Sequence, residues 1–467
     1  MTAKMNMRKT SLAGLLVLFS VLAFAQAPQG QQNLLVLQGA TLIDGTGHPV
    51  LRDSVILIEG DRIKEIARRL GSVPKSVPII DLKGKWIIPG LIDAHVHFDQ
   101  SGDLYTRPDI IDLQKWRPYA QELQWVKNRL PFTLERYIAS GITSVVDVGG
   151  PMWNFSTRDL AARTKNAPRV AMAGPLISTY DPMVPDTPDP SVIKANSPEH
   201  ARELVRAQLV RKPDLVKIWF IRQAQEDFAV QTSIMKAAIE ESHKGGVRVA
   251  AHATELETAK AAVAAGADIL VHSVTDRIID NEFLSMLKAR DILYMTTFAV
   301  VENYRKVFNR QVKLTDVEQQ LGDPEVIATW SDLDKIPAGE IPSGIPRVPP
   351  PPARRVEYEN LMLLESAGVR IVGATDAGNI GTLHGPALHR EFELMAEAGI
   401  RPADIIVSAT KNAAAVMGRD KDLGTIEKGK LADLVILNAD PHADIRNARK
   451  IFKVMKGGQF YEPSSPR

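Results

Sequence analysis

His95 and His97 are separated by one residue in GLIDAHVHFD, a run that reads as a β-strand. Side chains two apart on a strand leave the same face, so both imidazoles can reach one ion. Alone, such a pair is weak evidence for a metal. Four further ionisable residues strengthen it: Lys217 in DLVKIWF, His252 in VAAHA, His272 in ILVHS and Asp376 in IVGATDAG. Each stands at or beside the carboxyl end of an otherwise apolar strand-like run, where a titratable group must be paired or must coordinate something. The chain has no cysteine, which excludes disulfides, iron–sulfur clusters, cysteine-ligated zinc and a lipid-modified cysteine. Any metal must therefore be held by nitrogen and oxygen, a donor set that suits Zn²⁺, Mn²⁺ or Co²⁺.

The elements that would position these groups alternate strand-like runs with helical stretches, the pattern of a parallel sheet wrapped by helices. Eight strands are expected, at 92–97, 144–148, 169–173, 215–219, 248–253, 269–272, 292–296 and 370–375. A helix over 255–268 joins the fifth to the sixth. Eight such units closing on themselves make a (β/α)8 barrel of the α/β class, whose active sites lie where the carboxyl ends of the strands converge. The six ionisable candidates would then share one rim. Short β-rich runs punctuated by turn residues occupy 34–66 and return near the C-terminus, which predicts a small antiparallel sheet domain built from both chain ends. The expected division is residues 31–88 and 421–462 in that terminal domain and 89–420 in the barrel. The segment 336–355 is too rich in proline for regular structure and is expected to be an extended flap over one mouth of the barrel.

The motifs PGLIDAHVHF and GATDAG, the lysine of strand four, the histidines of strands five and six and the C-terminal GTIEKGKLADLVIL together resemble the amidohydrolase superfamily. Within it the chain is most similar to the imidazolonepropionase-related group, which includes metal-dependent dipeptidases. The resemblance implies a TIM-like barrel with a small β-sandwich domain from both termini. It also implies two divalent cations: His95, His97 and Asp376 on the first, His252 and His272 on the second, and a CO2-derived carbamate on Lys217 bridging both, with Lys217 as an ordinary ion-pair partner beside a single-metal site the competing reading. A protonated ammonium cannot ligate a metal, whereas a desolvated neutral amine can form that carbamate. The expected reaction is hydrolysis of an amide or peptide C–N bond, in a dipeptide or an N-acyl amino acid. A metal-activated bridging hydroxide would attack, with Asp376 carrying the proton to the departing amine. Lactones, esters and phosphotriesters are the alternative substrates, since the same cations stabilise developing negative charge on any of them. A non-catalytic metal-binding protein of the cell envelope is the second alternative, and it leaves Lys217 and Asp376 together without a purpose.

Around this centre His384, Tyr180, Tyr294 and Arg222 are candidate substrate contacts, with packing roles the competing reading for both tyrosines. Gly149-Gly150 reads as a tight turn or close backbone approach, and Asp433 as a turn residue without chemistry. Hydrophobic residues are 45% and charged residues 24% of the 467, the balance of a globular protein. Lys4, Arg8 and Lys9, an apolar run over 12–24 and the small residues Ala23 and Ala25 read as an export signal over 1–25, placing the protein in the periplasm or outside the cell. Removal of this segment lowers the formal charge from +2 to −1. A near-neutral chain argues for a small-molecule substrate and against a nucleic-acid partner. No later run is long and apolar enough to span a bilayer, and self-association is left open.

Overall fold

A computed structural model describes residues 33–461, apart from 70, 72–74, 183–184, 186, 224 and 342–354. The export signal lies outside the described residues, as does most of the proline-rich flap. Among the described residues no helix is long and apolar enough to cross a membrane.

The chain opens with five strands, β1 (Leu34–Leu42), β2 (Leu51–Glu59), β3 (Arg62–Ala67), β4 (Ile79–Asp81) and β5 (Trp86–Pro89). It closes with three more. Between them run barrel strands β6 (Leu91–Val96), β7 (Ile142–Asp147), β8 (Arg169–Met172), β9 (Leu176–Ser178), β10 (Val192–Lys194), β11 (Leu215–Trp219), β12 (Arg248–His252), β13 (Ile269–Val271), β14 (Leu293–Met295) and β15 (Arg370–Val372). The closing strands are β16 (Leu434–Leu437), β17 (Ile451–Lys456) and β18 (Gln459–Tyr461).

The two chain ends form one eight-stranded sheet in the order β18-β17-β16-β5-β1-β2-β3, with β4 also paired to β1. Leu37, Ile56 and Ile63 from the first end share a core with Leu434, Ile436 and Met455 from the second. The expectation of an antiparallel sheet is corrected here, because β1 pairs in parallel with both β4 and β5. Chain-end strands from separate crossings are not bound to the hairpin rule that makes sequential neighbours antiparallel.

The eight expected barrel strands form where the sequence places them, and β9 and β10 are two further short strands it did not indicate; all ten lie in parallel ladders of three (β6-β7-β8) and seven (β10-β9-β11-β12-β13-β14-β15). Two seams interrupt the ladder and are bridged by a few isolated hydrogen bonds. At one, the Asp376 amide donates to the His95 carbonyl at 2.8 Å, and that of His97 to the Ala377 carbonyl at 2.9 Å. At the other, the Asp214 amide donates to the Met172 carbonyl at 2.8 Å. Helices α1 (Tyr119–Ala139), α2 (Phe155–Arg163), α3 (Pro198–Leu209), α4 (Phe228–Lys244), α5 (Leu256–Ala265) and α6 (Asn281–Ala289) alternate with the strands. The long crossover from β14 to β15 carries α7 (Phe298–Phe308), α8 (Asp316–Leu321), α9 (Pro324–Thr329) and α10 (Arg355–Ser366), and α11 (Ala387–Glu397) follows β15.

Strand alternation divides the apolar residues into two layers. Ile92, Leu215, Ala250, Ile269, Leu293 and Val372 fill the barrel interior. Their sequence neighbours Val216, Val249, Leu270 and Ile371 pack outward against helix residues such as Ile239, Val263 and Phe283. Burying roughly 1.5–3 kcal/mol per large apolar side chain on both faces makes the strand register costly to slip.

Candidate metal centre

The same alternation aims the candidate ligands. On β11, Leu215, Lys217 and Trp219 share the inner face, and on β12 Ala250 and His252 do. Two ligand positions depend on a break in alternation. Ile92 and Ala94 face inward on β6, so His95 would point outward; a register shift against β7 between Asp93 and Val96 reverses the parity. After it, His95 and His97 face the cavity and Val96 joins the outer layer. Val271 likewise faces inward, and His272 is turned back to the cavity by a left-handed backbone with φ of 73°. Asp376 (φ 61°) and Thr297 (φ 63°) share that conformation. It costs of order 1–3 kcal/mol for each non-glycine residue, and strain of this kind concentrates at functional sites.

All six candidates, His95, His97, Lys217, His252, His272 and Asp376, line one cavity of about 270 Å³ at the carboxyl ends of the strands. Three of their donor atoms form a tight triangle. His95 Nε2 lies 3.2 Å from His97 Nε2 and 3.2 Å from Asp376 Oδ1, and His97 Nε2 lies 3.1 Å from the same oxygen. Donors about 2.05 Å from one tetrahedral zinc lie about 3.3 Å apart, so this triangle fits one divalent cation. His97 Nδ1 is 2.6 Å from the Gly149 carbonyl, which fixes its tautomer and turns the Nε2 lone pair into the triangle. His95 Nδ1, by contrast, is buried without a partner among the described residues. Burial pushes His97 down, but the facing Asp376 outweighs it and the net value is raised: this carboxylate calls for a positive charge at the triangle.

Beside the triangle the His252 and His272 rings meet at 4.5 Å between centroids, and His272 lies 5.1 Å from His95. Thr297 Oγ1, 2.7 Å from His272 Nδ1, leaves Nε2 free. Burial, with the Lys217 charge behind it, lowers His95 and His252 to about 3, and burial also holds His272 far below its usual value. Neutral imidazoles are the ligating form. Lys217 is 1% exposed, and burial brings it from 10.5 to about 7, so near neutral pH much of it is free amine. Asp376 is pushed up by burial but held well below the carboxylate range by His95 and His97, which keeps it ionised.

None of the four expected substrate contacts lines this cavity. His384 is buried behind it, 2.7 Å from Tyr137 Oη through Nδ1 and 2.8 Å from the Gln100 carbonyl through Nε2. Tyr294 faces the outer layer, where its hydroxyl accepts the Val274 amide at 2.7 Å, because strand parity puts Leu293 and Met295 inside. Tyr180 packs edge-on against Trp219, and Arg222 pairs with Glu257 at the surface. The glycine pair does approach closely, and it also orients a ligand: a Cβ on Gly149 would lie 2.5 Å from Leu176 Cδ1. Asp433 is a buried partner of Arg169.

Sequence reasoning missed Trp219, Arg107, Tyr304 and Asn379, all in the cavity wall. Trp219 follows Lys217 by two, so strand period alone points to it. Asn379 stands three residues beyond Asp376 in a glycine-containing turn, close enough to bond back to it. Arg107 and Tyr304 come from a loop and a helix with no local signature.

The Amidohydrolase family pattern matches residues 86–460, and the chain belongs to that family. Over 68 residues it is 38% identical to a dihydroorotase of Staphylococcus epidermidis, covering 15% of each chain. Over 96 residues it is 38% identical to an imidazolonepropionase of Aromatoleum aromaticum, covering 20% of this chain and 21% of that one. The aligned stretches thus span about a fifth or less of these curated relatives. Among solved structures, a Xaa-Pro dipeptidase with methionine in its active site superposes with a TM-score of 0.70 at 23% identity, over 92% of this chain and all of the other. An ochratoxinase of A. niger reaches 0.70 at 21% identity, over 92% and 96%. At such identities the likeness establishes the barrel-and-sheet fold.

Proposed function

We propose that this chain is an exported, metal-dependent hydrolase that cleaves a C–N bond in a small amide, such as a dipeptide or an N-acyl amino acid. The observation that carries the reading is the convergence of four histidines, one desolvated lysine and one carboxylate on a single cavity. His95, His97 and Asp376 would hold one divalent cation, His252 and His272 a second, and a carbamate on Lys217 would join them, with Zn²⁺ the first choice and Mn²⁺ or Co²⁺ the others. When bound, such cations acidify water and polarise a carbonyl.

The chain's own residues supply the rest. Asp376, ionised and facing the cavity, takes the proton of the attacking water on its carboxylate and returns it to the leaving nitrogen. Leu176, Val192, Trp219, Phe298 and Val300 form an apolar wall that would seat the hydrocarbon part of the substrate and exclude water from the reacting carbonyl. Relatives whose printed names are dihydroorotase, N-acyl-D-aspartate deacylase and imidazolonepropionase point to the same bond class.

The test is a panel of amides, lactones and phosphotriesters on metal-loaded protein. Amide turnover above the other two classes is expected. Fast lactone cleavage with no amide turnover would reassign the enzyme to the ester class, and retained metal with no hydrolysis at all would favour the envelope-binding alternative.

A further inference from the structure

The cavity holds a chain of hydrogen bonds that ends on Asp376. Arg107 lies in the loop between β6 and α1, with Nε 2.8 Å and Nη2 2.6 Å from the two oxygens of Asp109. This bidentate contact pins the guanidinium plane. Its Nη1 donates to Asn379 Oδ1, which also accepts the Tyr304 hydroxyl from α7 at 2.8 Å. Two donors on one oxygen settle which way the amide points. Asn379 Nδ2 then donates to Asp376 Oδ1 at 2.8 Å and to the Asp376 carbonyl at 3.0 Å. Asn379 is 1% exposed, so no bulk water replaces these bonds if they break.

We propose that Arg107 and Asn379 are positioning residues: through the Asn379 amide they fix the Asp376 carboxylate in the orientation its proton transfer needs. Both sides of Asp376 Oδ1 are thereby defined, by the two imidazoles on one and the amide on the other. Asp376 needs such support because its backbone is itself held in the left-handed region. Arg107 faces the cavity and could instead be an anchor for a substrate carboxylate. Its charge, however, is already matched by Asp109, and a substrate would have to displace that carboxylate. The two roles differ in kinetics. An anchor acts on KM for substrates that carry a carboxylate; a positioning residue acts on kcat whatever the substrate carries.

The inference rests on the reading of Asp376 as the proton carrier, so the test includes a readout that does not need turnover. Asn379→Ala and Arg107→Met are expected to lower kcat roughly 10–100-fold while KM stays within about threefold and metal content is unchanged. Arg107→Lys, which keeps one donor toward Asn379, should recover part of the loss. In the cobalt-loaded protein, Asn379→Ala should shift the visible absorption bands, because the carboxylate beside the cation is no longer held. Wild-type kcat with full metal would overturn the proposal, and so would activity lost only in proportion to metal lost. If the wild type turns over none of the amides, lactones or phosphotriesters, the proposed function fails and the spectrum decides alone: unshifted bands overturn the relay, and shifted bands support it. Should Asn379→Ala not fold, Arg107→Met carries both readouts.

Discussion

Lys217 offers a quantitative test that separates the lysine from the metals it is proposed to join. It is fully buried at 1% exposure, and burial takes it from 10.5 to about 7. That fall is worth about 5 kcal/mol of opposition to folding when the ammonium must be buried. The sign follows from proton counts. Between about 7 and 10.5 the unfolded chain holds a proton that the folded chain has released, so the stability of metal-free protein rises with pH across that window. Below it both states are protonated and the whole penalty is felt. Replacing Lys217 by methionine, an apolar side chain of similar length, should therefore stabilise the metal-free protein at pH 6.5 by a few kcal/mol, with about 5 as the ceiling, and remove this rise with pH. Urea unfolding of chelator-treated protein in CO2-free buffer, followed from pH 6 to 10, measures both. In metal-loaded protein the same substitution should have the opposite consequence: two ions falling toward one, and hydrolysis lost. A variant no more stable than wild type when stripped, with two ions retained when loaded, would refute both the buried-amine argument and the bridge.

Gly149→Ala would set a Cβ 2.5 Å from Leu176 Cδ1 and 3.0 Å from the Gly174 carbonyl at a φ of 140°. The displaced Gly149 carbonyl would release His97 Nδ1, so metal affinity should fall roughly 10–100-fold, read by titration with Zn²⁺ against a chelating dye; unchanged affinity would deny Gly149 an orienting role. Asp433→Ala should cost roughly 1–3 kcal/mol by leaving the part-buried Arg169 and the Gly457 amide without their buried partner. Activity per folded molecule should be kept, since Asp433 ties β8 to the C-terminal sheet and is not among the residues lining the cavity. Glu302 is lowered from 4.5 to about 2, where burial is outweighed by the Arg390 fork at 3.0 Å to each oxygen and by Lys306. Its contribution, on the order of 3 kcal/mol, is fully present above about pH 4.5 and is lost as pH falls toward 2. Glu302→Gln should therefore flatten that part of the acid-unfolding curve, and an unchanged curve would contradict the assignment.

Eight strands of the barrel were legible as apolar runs, five of them with a candidate ligand at or beside the carboxyl end, and period two then says which neighbours share a face. That rule places Lys217 with Trp219 and His252 with Ala250 without further help. It misplaces His95 and His272, whose side chains reach the cavity only through a register shift in β6 and a left-handed backbone after β13. Neither distortion has a local sequence mark: no glycine announces it, and a histidine at positive φ is stable only because the surrounding fold overdetermines it. The ligand set could be named before its geometry because ligation depends on residue type, while aim depends on tertiary context. Substrate contacts fail for the same reason in reverse. Tyr294 and His384 have the right chemistry, but strand parity and a second layer of packing turn them away. Arg107 reaches the wall because Asp109 and Asn379, 2 and 272 residues away in sequence, hold its guanidinium there. Contacts closed across that separation leave no trace in composition or periodicity, and it is these that set the orientation of Asp376.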